Sequence, residues 1–214
     1  SCCEKESKEL EGFSVDRYES NGIFPLLRKA KEMAGGELKV VVSPWSPPPW
    51  MKDNNRMQFG GVLKSEWRQT WADFYVRFAK ETEKAGLPLW AFTVQNEPMA
   101  KTIWESCVYT AAAERDFVRD FLGPTLGGSG LDVKLLVWDH NRDEMVHRAQ
   151  TIYSDPEASK YVWGMGYHWY GDPAYEIWPE RTGQVAYDAL KHVHDLYPEK
   201  HIMLTECCQE NGPH

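Results

Sequence analysis

The segment LWAFTVQNEP, residues Leu89–Pro98, decides the fold of this chain. Its first six residues are almost continuously apolar, which is typical of a strand covered by helices on both faces of a parallel sheet. The strand ends in an amide, a carboxylate and a proline, and the proline prevents a helix from starting at once. Because parallel α/β barrels build their sites at the carboxyl ends of their strands, we expect Asn96 and Glu97 to lie at such an end.

The composition indicates a globular chain whose partner is neutral. The 214 residues are 42% hydrophobic and 13% aromatic, which is enough for one sizeable core. A formal net charge of -8 leaves no basic stripe for phosphates, so no nucleic acid partner is expected. Ten tryptophans favour a carbohydrate partner, because flat rings stack on the apolar faces of sugars, although most of them are expected in the core. No apolar run is long enough to cross a bilayer.

Strand and helix patterns alternate along the whole chain. The pattern predicts strands at residues 38–43, 89–94, 133–138, 161–170 and 201–206. It predicts helices at residues 24–34, 65–86, 109–122, 142–153 and 185–197. We therefore expect one α/β domain over residues 1–214, a (β/α)8 TIM barrel in which about five of the eight units are present. The two outer strands would have unpaired edges, so further barrel strands are expected on either side of this segment.

A second carboxylate follows the last predicted strand, HIMLTE, at Glu206. Retaining glycosidases need one carboxyl group as acid and base and a second as nucleophile, about 5–5.5 Å apart. Glu97 and Glu206 are separated by about three strand–helix repeats, and strand ends at that spacing can converge on a barrel axis. Asn96 would bind the sugar 2-hydroxyl. Glu97 must then stay protonated, which its apolar strand and the nearby Glu206 carboxylate would favour.

Each of these residues also has a purely structural interpretation. A glutamate before a proline usually only ends a strand, and Glu206 could be a buried structural carboxylate. An isolated histidine is more often a satisfied core residue, but the position of His168 at a strand end between Tyr167 and Trp169 makes the two interpretations about equal. Asp139 and His140 could join His168 and Glu206 as metal ligands, but no tight spacing such as HExxH occurs, so no metal is expected.

The tryptophans and cysteines leave the same choice open. Trp45 and Trp50 lie on a proline-rich loop after the first predicted strand, which favours sugar contact over packing. The aromatic stripe that begins at Trp67 is expected to be core. Cys207 and Cys208 have no basic partner nearby in the sequence, so we expect small buried residues and no thiol nucleophile.

Five motifs in order resemble glycoside hydrolase family 30, in particular its glucosylceramidase-like members. They are SPWSPPPWMK, TVQNEP, LLVWDHNRD, GYHWYGD and LTEC. The resemblance implies that Glu97 is the acid/base and Glu206 the nucleophile. It also implies that a set of residues lines the sugar site or steadies the nucleophile, with Asp139 near the rim: Trp45, Asn96, His168 and Tyr170. A sugar-binding acid on an earlier strand, an aromatic residue on a final strand and an attached β-sandwich belong to the family's pattern and are not found in this sequence.

The resemblance implies a hydrolase that cleaves β-glucosidic bonds with retention, acting on a β-glucoside or a glucosylceramide-type glycan without a cofactor. Secretion or another location outside the cytoplasm is expected from the family. Within the same family, an endo-β-1,6-glucanase or a β-xylosidase is the alternative. From other classes, the chain could be a non-catalytic remnant that binds carbohydrate, or a merely structural domain in which Glu97 and Glu206 lie far apart.

Overall fold

The computed structural model describes residues 2–170 and 188–208, and in it five parallel strands form one curled half-barrel sheet. The strands are β1 Val41–Val42, β2 Ala91–Thr93, β3 Lys134–His140, β4 Gly164–His168 and β5 His201–Glu206. Each strand pairs with the next one along the chain, so the order in the sheet is the order in the sequence. The predicted partial TIM barrel is confirmed.

Two helices precede β1, and the others lie between successive strands. They are α1 Asp16–Ser20, α2 Ile23–Met33, α3 Arg68–Lys84, α4 Ala111–Phe117, α5 Gly123–Gly127, α6 Met145–Tyr153, α7 Pro156–Ser159 and α8 Asp188–Leu196. The predicted helix at 185–197 corresponds to α8, but its predicted start at Val185 lies outside the described residues. No described helix is both long and apolar enough to span a membrane.

The part of the core that positions the site lies between α3 and the sheet. Tyr75 packs edge-on against Phe92 with ring centroids 5.0 Å apart, and its hydroxyl donates a hydrogen bond to the Val94 carbonyl oxygen at 2.6 Å. Trp71 and Phe78 are also buried, so the aromatic stripe of this helix is core, as expected. This packing fixes β2 immediately before the residues that carry the chemistry.

The start of α3 differs from the prediction. The helix predicted from residue 65 begins later: Ser65–Trp67 forms a 3-10 turn, and α3 follows with Trp67 at its N-cap and no side-chain capping bond. Trp67 is buried and packs edge-on against Trp50 at 4.8 Å. Burial of this ring therefore replaces a polar cap at the helix start.

The predicted helix at 109–122 does not stop at Gly123-Pro124. A π-helical turn at Val118–Leu122 leads directly into α5, which carries Pro124 in its first turn, where a missing N–H costs little. A Cβ atom on Gly123 would lie 2.6 Å from the Val118 carbonyl oxygen and 2.3 Å from the Tyr161 ring. Glycine here allows close packing and does not end the helix.

The outer strands have the edges that the strand pattern predicts. Within the described ranges, β1 pairs only with β2, and β5 pairs only with β4. Leu204 on β5 is exposed, unlike the residues of β3, which are almost all buried. The best-covered part of the sheet is therefore its centre, and the polar residues at the strand ends lie over that centre.

Candidate active site

Four adjacent strands deliver polar side chains to the same edge of the sheet. Glu97 follows β2, Asp139 lies near the end of β3, His168 ends β4 and Glu206 ends β5. Parallel strands share one carboxyl edge, which is why residues so far apart in the sequence meet here.

The backbone around Glu97 is tied to both neighbouring strands. Its N–H donates to the Asp139 carbonyl oxygen at 2.9 Å, and the N–H of Asn96 donates to the Pro44 carbonyl oxygen at 2.9 Å. Glu97 has a φ of 45°, in the left-handed region that residues with side chains rarely adopt. The bonds of these two N–H groups hold this conformation, and the Glu97 carboxylate reaches His168 at the end of β4.

His168 lies between the carboxylates. Its Nδ1 is 3.3 Å from Oε1 of Glu97, its Nε2 is 3.2 Å from Oδ1 of Asp139, and the same Nε2 is 3.8 Å from Oε2 of Glu206. The ring is fully buried. A protonated imidazole donates from both nitrogens, so His168 can satisfy Glu97 and Asp139 at once.

Asp139 does not lie at the rim, so that prediction is wrong. Its carboxylate is fully buried. Thr93 donates to Oδ2 at 2.7 Å, and Thr205 donates to Oδ1 at 2.6 Å. With His168 as its third partner, Asp139 is held behind the histidine and does not face the open side of the site. Residues of β2 and β5 surround the Asp139 side chain and keep it from the surface.

The charges of this cluster follow from its geometry. Burial would lower the pKa of His168, but the hydrogen bonds to Asp139 and Glu97 outweigh it and raise the pKa to about 9. Burial would raise the pKa of Asp139, but the bond from His168 holds it below its usual value. Burial lowers the pKa of His140 to about 4, although the Glu97 carboxylate, 3.9 Å away, opposes this effect. At neutral pH His168 is therefore the cation of the cluster and His140 is neutral.

The His168 cation also determines the protonation state of Glu97. Burial favours its neutral form, yet the hydrogen bond from His168, together with the field of both histidines, holds the pKa of Glu97 below its ordinary value. The sequence-based expectation that strand burial keeps Glu97 protonated is therefore wrong for this arrangement. That expectation lacked the histidine, which comes from a strand about seventy residues further along the chain.

Glu206 has a different set of partners. Tyr170 donates its hydroxyl to Oε1 of Glu206 at 3.1 Å and accepts a bond from the N–H of Cys208 at 2.8 Å. The Glu206 side chain is 29% exposed, against 18% for Glu97. Cys207 and Cys208 are exposed, so the expectation of small buried residues is wrong. They follow the end of the edge strand β5, where no further element of the described chain covers them.

The rim above the site is formed by the proline-rich loop. Gln95 donates from Nε2 to the Trp45 carbonyl oxygen and to its neighbour Asn96, both at 2.8 Å, which places Asn96 beside the loop. Trp45 is 42% exposed, as a stacking platform requires. Trp50 is half-buried against Trp67, so it packs and does not face the site.

A buried lysine fastens two rim segments to each other. The Lys52 ammonium donates to Ser46 Oγ at 3.1 Å, to the Met57 carbonyl oxygen at 3.0 Å and to the Ser106 carbonyl oxygen at 2.6 Å. Burial lowers the pKa of Lys52, and the nearby Cys107 and Asp53 oppose this effect. With its three donors used, Lys52 holds the wall of the site in place.

A metal ion would have to compete with these contacts. Among the described residues, Glu97, His140 and His168 offer ligand atoms that lie within 4.8 Å of one another. A metal ligand must be deprotonated, whereas His168 keeps its proton between two carboxylates. The arrangement fits an ion pair better than a metal centre.

The sequence patterns did not indicate two residues that contact the site, Thr93 and Thr205. Both lie inside apolar strand segments, and both hydroxyls bond the buried carboxylate of Asp139. A threonine is common in strands, so neither attracts attention alone. The usable signal is the pairing of each threonine with a nearby carboxylate at the same strand end.

Comparison with known proteins identifies the family to which this chain is similar. Residues 4–213 match the glycosyl hydrolase family 30 TIM-barrel domain. The chain is 34% identical over 208 residues to the lysosomal acid glucosylceramidase of Mus musculus, covering 94% of this chain and 39% of that protein. It is 29% identical over 191 residues to an endo-1,6-beta-D-glucanase of Neurospora crassa, covering 87% of this chain and 37% of that protein.

Solved structures agree with the sequence relatives. The structure of SrfJ from Salmonella typhimurium superposes with a TM-score of 0.86 at 30% identity, covering 99% of this chain and 45% of that one. The chain thus spans less than half the length of these relatives. The match of the family over nearly all of its residues shows that the chain belongs to glycosyl hydrolase family 30.

Proposed function

We propose that the chain carries the two catalytic carboxylates of a retaining hydrolase of β-glucosidic bonds. The observation that supports this most is the position of His168, whose two ring nitrogens face Glu97 at 3.3 Å and Glu206 at 3.8 Å. Both carboxylates therefore contact the same imidazole ring, which supports a single site shared by Glu97 and Glu206. A merely structural domain would have no reason to bring them to one buried cation.

In the first step, an oxygen of Glu206 attacks the anomeric carbon while Glu97 gives its proton to the departing glycosidic oxygen. The aglycone leaves as an alcohol, and the sugar remains as an ester of Glu206. In the second step, Glu97 takes a proton from water, and the hydroxyl oxygen displaces Glu206 from the anomeric carbon. The sugar is released with its original configuration, and both carboxyl groups return to their starting states.

The contacts of each glutamate suit these roles. Tyr170 holds Oε1 of Glu206 at 3.1 Å, which leaves Oε2, 3.8 Å from Nε2 of His168, as the attacking atom. His168 stabilises the negative charge that returns to Glu206 when the ester breaks. The same histidine keeps the pKa of Glu97 low, so the proton donor is populated only in acid. The proposal therefore includes an acidic pH optimum.

The names of the relatives suggest the substrate class. The Mus musculus relative is named a glucosylceramidase and the Neurospora crassa relative an endo-1,6-beta-D-glucanase, so both names specify a glucose unit and the second also specifies a β-linkage. We propose a glucosylceramide-type β-glucoside, bound with Trp45 against the sugar face and Asn96 at the 2-hydroxyl. A β-1,6-glucan is the alternative. Release of glucose alone from short β-1,6-oligosaccharides would argue against endo action, whereas mixed oligosaccharides would favour it.

Azide rescue tests the two roles separately. With an activated aryl β-glucoside, Glu97→Ala should still form the ester, because a good leaving group needs no acid, and azide should accelerate the second step and yield the β-glucosyl azide. Glu206→Ala should instead give the α-azide by direct displacement. A chain in which neither variant responds to azide, and which still binds glucosides, would be the non-catalytic remnant.

A further inference from the structure

The third strand contains an irregularity next to the site. In the pairing of β3 with β4, Trp138 faces Gly166 and His140 faces Tyr167, so Asp139 is an extra residue in the ladder. Trp138 has a φ of 72° and Asp139 a φ of 55°. Two consecutive left-handed residues with side chains are strained, and strand bulges of this kind commonly redirect a side chain beside an active site.

The bulge is what brings Asp139 to its partners. Its carbonyl oxygen accepts the N–H of Glu97 at 2.9 Å, and its carboxylate reaches His168 at 3.2 Å. Gly166 leaves the room for this arrangement, since a Cβ atom there would lie 3.3 Å from Oδ1 of Asp139 and 3.0 Å from Thr205 Oγ1. A regular strand would turn the Asp139 side chain away from these partners.

A buried ion pair fastens the bulge from the helix side of the sheet. Glu114 of α4 accepts the N–H of Trp138 on Oε1 at 2.8 Å and a bond from Arg148 of α6 on Oε2 at 3.0 Å. Arg148 also donates to the Tyr109 carbonyl oxygen at 2.7 Å, and its guanidinium lies 4.8 Å over the Trp138 ring. Both charged side chains are essentially inaccessible to solvent.

A buried ion pair such as Glu114–Arg148 adds little to the free energy of unfolding by itself. Removing two charges from water costs about as much as their attraction returns, and apolar residues of the same volume often serve a core equally well. What apolar residues cannot supply is an acceptor for the Trp138 N–H. The pair therefore has a use at this position that only a polar side chain can fill.

We propose that Glu114 and Arg148 are positioning residues of the candidate active site, which hold the Trp138–Asp139 bulge so that Asp139 presents its carboxylate to His168. The effect on turnover rests on the proposed hydrolase function, whereas the effect on His168 does not. The Glu114 carboxylate acts on the site through the backbone N–H of Trp138 and the strained residues that follow it. The charge of Arg148 also acts on His140, and both double variants described below lack that charge.

Two double variants isolate that single hydrogen bond. Glu114→Gln with Arg148→Met removes both charges and keeps an amide oxygen as acceptor, whereas Glu114→Leu with Arg148→Met removes the charges and the acceptor. Arg119→Met is the stability control, because Arg119 pairs with Asp155 at 3.0 Å between the π-helical turn and α7. If the leucine variant does not fold, Glu114→Asp takes its place, since its shorter side chain draws the acceptor away from Trp138.

The first readout is the protonation state of the His168 ring, measured from its nitrogen-15 NMR signals in the chain labelled with nitrogen-15 histidine. The signals of His168 are assigned among those of the seven histidines by their loss in His168→Asn. Five groups from the surrounding elements face this ring: Asp139, His140, Glu97, Glu206 and Tyr170. At pH 8 the wild type, Arg119→Met and the glutamine variant should show a doubly protonated His168 ring. The leucine variant should show a neutral or mixed ring.

The second readout is the rate at which a mechanism-based glucoside inactivator labels Glu206. It should fall by about 100-fold in the leucine variant, because misplacement of a supporting group by about 1 Å costs that much, and far less in the glutamine variant. Identical His168 signals in the two double variants would overturn the proposal. Absence of label in the wild type would instead overturn the proposed function, and the His168 signals would still decide the positioning role.

Discussion

Oδ1 of Asp139 lies 3.2 Å from Nε2 of His168, and both side chains are fully buried. The other nitrogen of the ring faces Glu97 at 3.3 Å, so the charge of Asp139 keeps a proton on the histidine that contacts the Glu97 carboxylate. One buried carboxylate therefore governs the electrostatics of the whole strand-end cluster.

The network predicts that Asp139→Asn damages activity more than stability. The amide keeps the size and most of the hydrogen bonds of Asp139 but removes the charge that holds the proton on His168. We expect kcat/KM for an aryl β-glucoside to fall by about 100-fold, a loss comparable to that of one preorganised electrostatic partner. Thr93→Val is the matched control, because it removes one neutral bond to the same carboxylate and should cost far less. Unchanged kcat/KM in Asp139→Asn would contradict the network.

The state of Glu97 predicts the pH dependence of catalysis. Since the pKa of Glu97 lies below its usual value because of His168, its protonated fraction in the free chain falls as the pH rises through that low pKa. The alkaline limb of kcat/KM against pH should therefore lie in the acid range. His168→Gln removes the cation and should move this limb to higher pH while lowering the maximum. A limb that stays in place in this variant would show that His168 does not control the acid.

The same cluster predicts how stability depends on pH. The pKa of His168 is raised from 6.5 to about 9, so its contribution is complete below pH 6.5 and is lost as the pH rises through 9. The pKa of His140 is lowered from 6.5 to about 4, so its contribution is present above pH 6.5 and is lost as the pH falls through 4. The free energy of unfolding should be greatest near pH 6.5.

Thermal denaturation across this pH range checks the direction in which the free energy of unfolding changes with pH. His168→Gln should flatten the decline between pH 6.5 and 9. It should also shift the acid limb, because the same cation lowers the pKa of Glu97, Asp139 and His140. The wild-type decline should amount to several degrees in Tm, since 1 kcal/mol corresponds to about 2–4 °C in a domain of this size. Equal alkaline declines in the wild type and in His168→Gln would contradict the assignment.

Backbone packing between β4 and β5 gives a prediction about stability alone. A Cβ atom on Gly164 would lie 2.4 Å from the His201 carbonyl oxygen, so Gly164→Ala must push the edge strand away. We expect a loss of about 1–3 kcal/mol in the free energy of unfolding. In Gly127→Ala the new atom would lie 3.7 Å from the Tyr161 ring, an ordinary contact, and stability should be unchanged or slightly higher. Chemical denaturation of both variants measures the difference.

Local patterns were enough to predict the strand order and the position of the two glutamates at strand ends. Buried strands are recognisable as apolar runs in the sequence, and Glu97 and Glu206 each lie at the end of such a run. The partners of Glu97 could not be predicted in the same way. His168 reaches it from another strand, and the bulge at Asp139 depends on Glu114, which stands in a helix segment, AAAERDF, that reads as half-exposed.

The corrected predictions share one physical cause. Asp139 was expected at the rim and Glu97 was expected to be protonated, because each was judged from its neighbours along the chain. In the fold, contacts between strands decide both outcomes: two threonines and His168 enclose Asp139, and His168 shifts Glu97. Cys207 and Cys208 are exposed for the opposite reason, since they follow an edge strand.

The central claim is that Glu206 is the nucleophile and acts in a pocket that also contains Glu97. The most direct measurement is intact-mass spectrometry of the folded chain after incubation with a mechanism-based glucoside inactivator, followed by peptide mapping. We predict one sugar adduct, on Glu206, and none in Glu206→Gln. An adduct on another residue, or no adduct in a chain that circular dichroism shows to be folded, would contradict the claim.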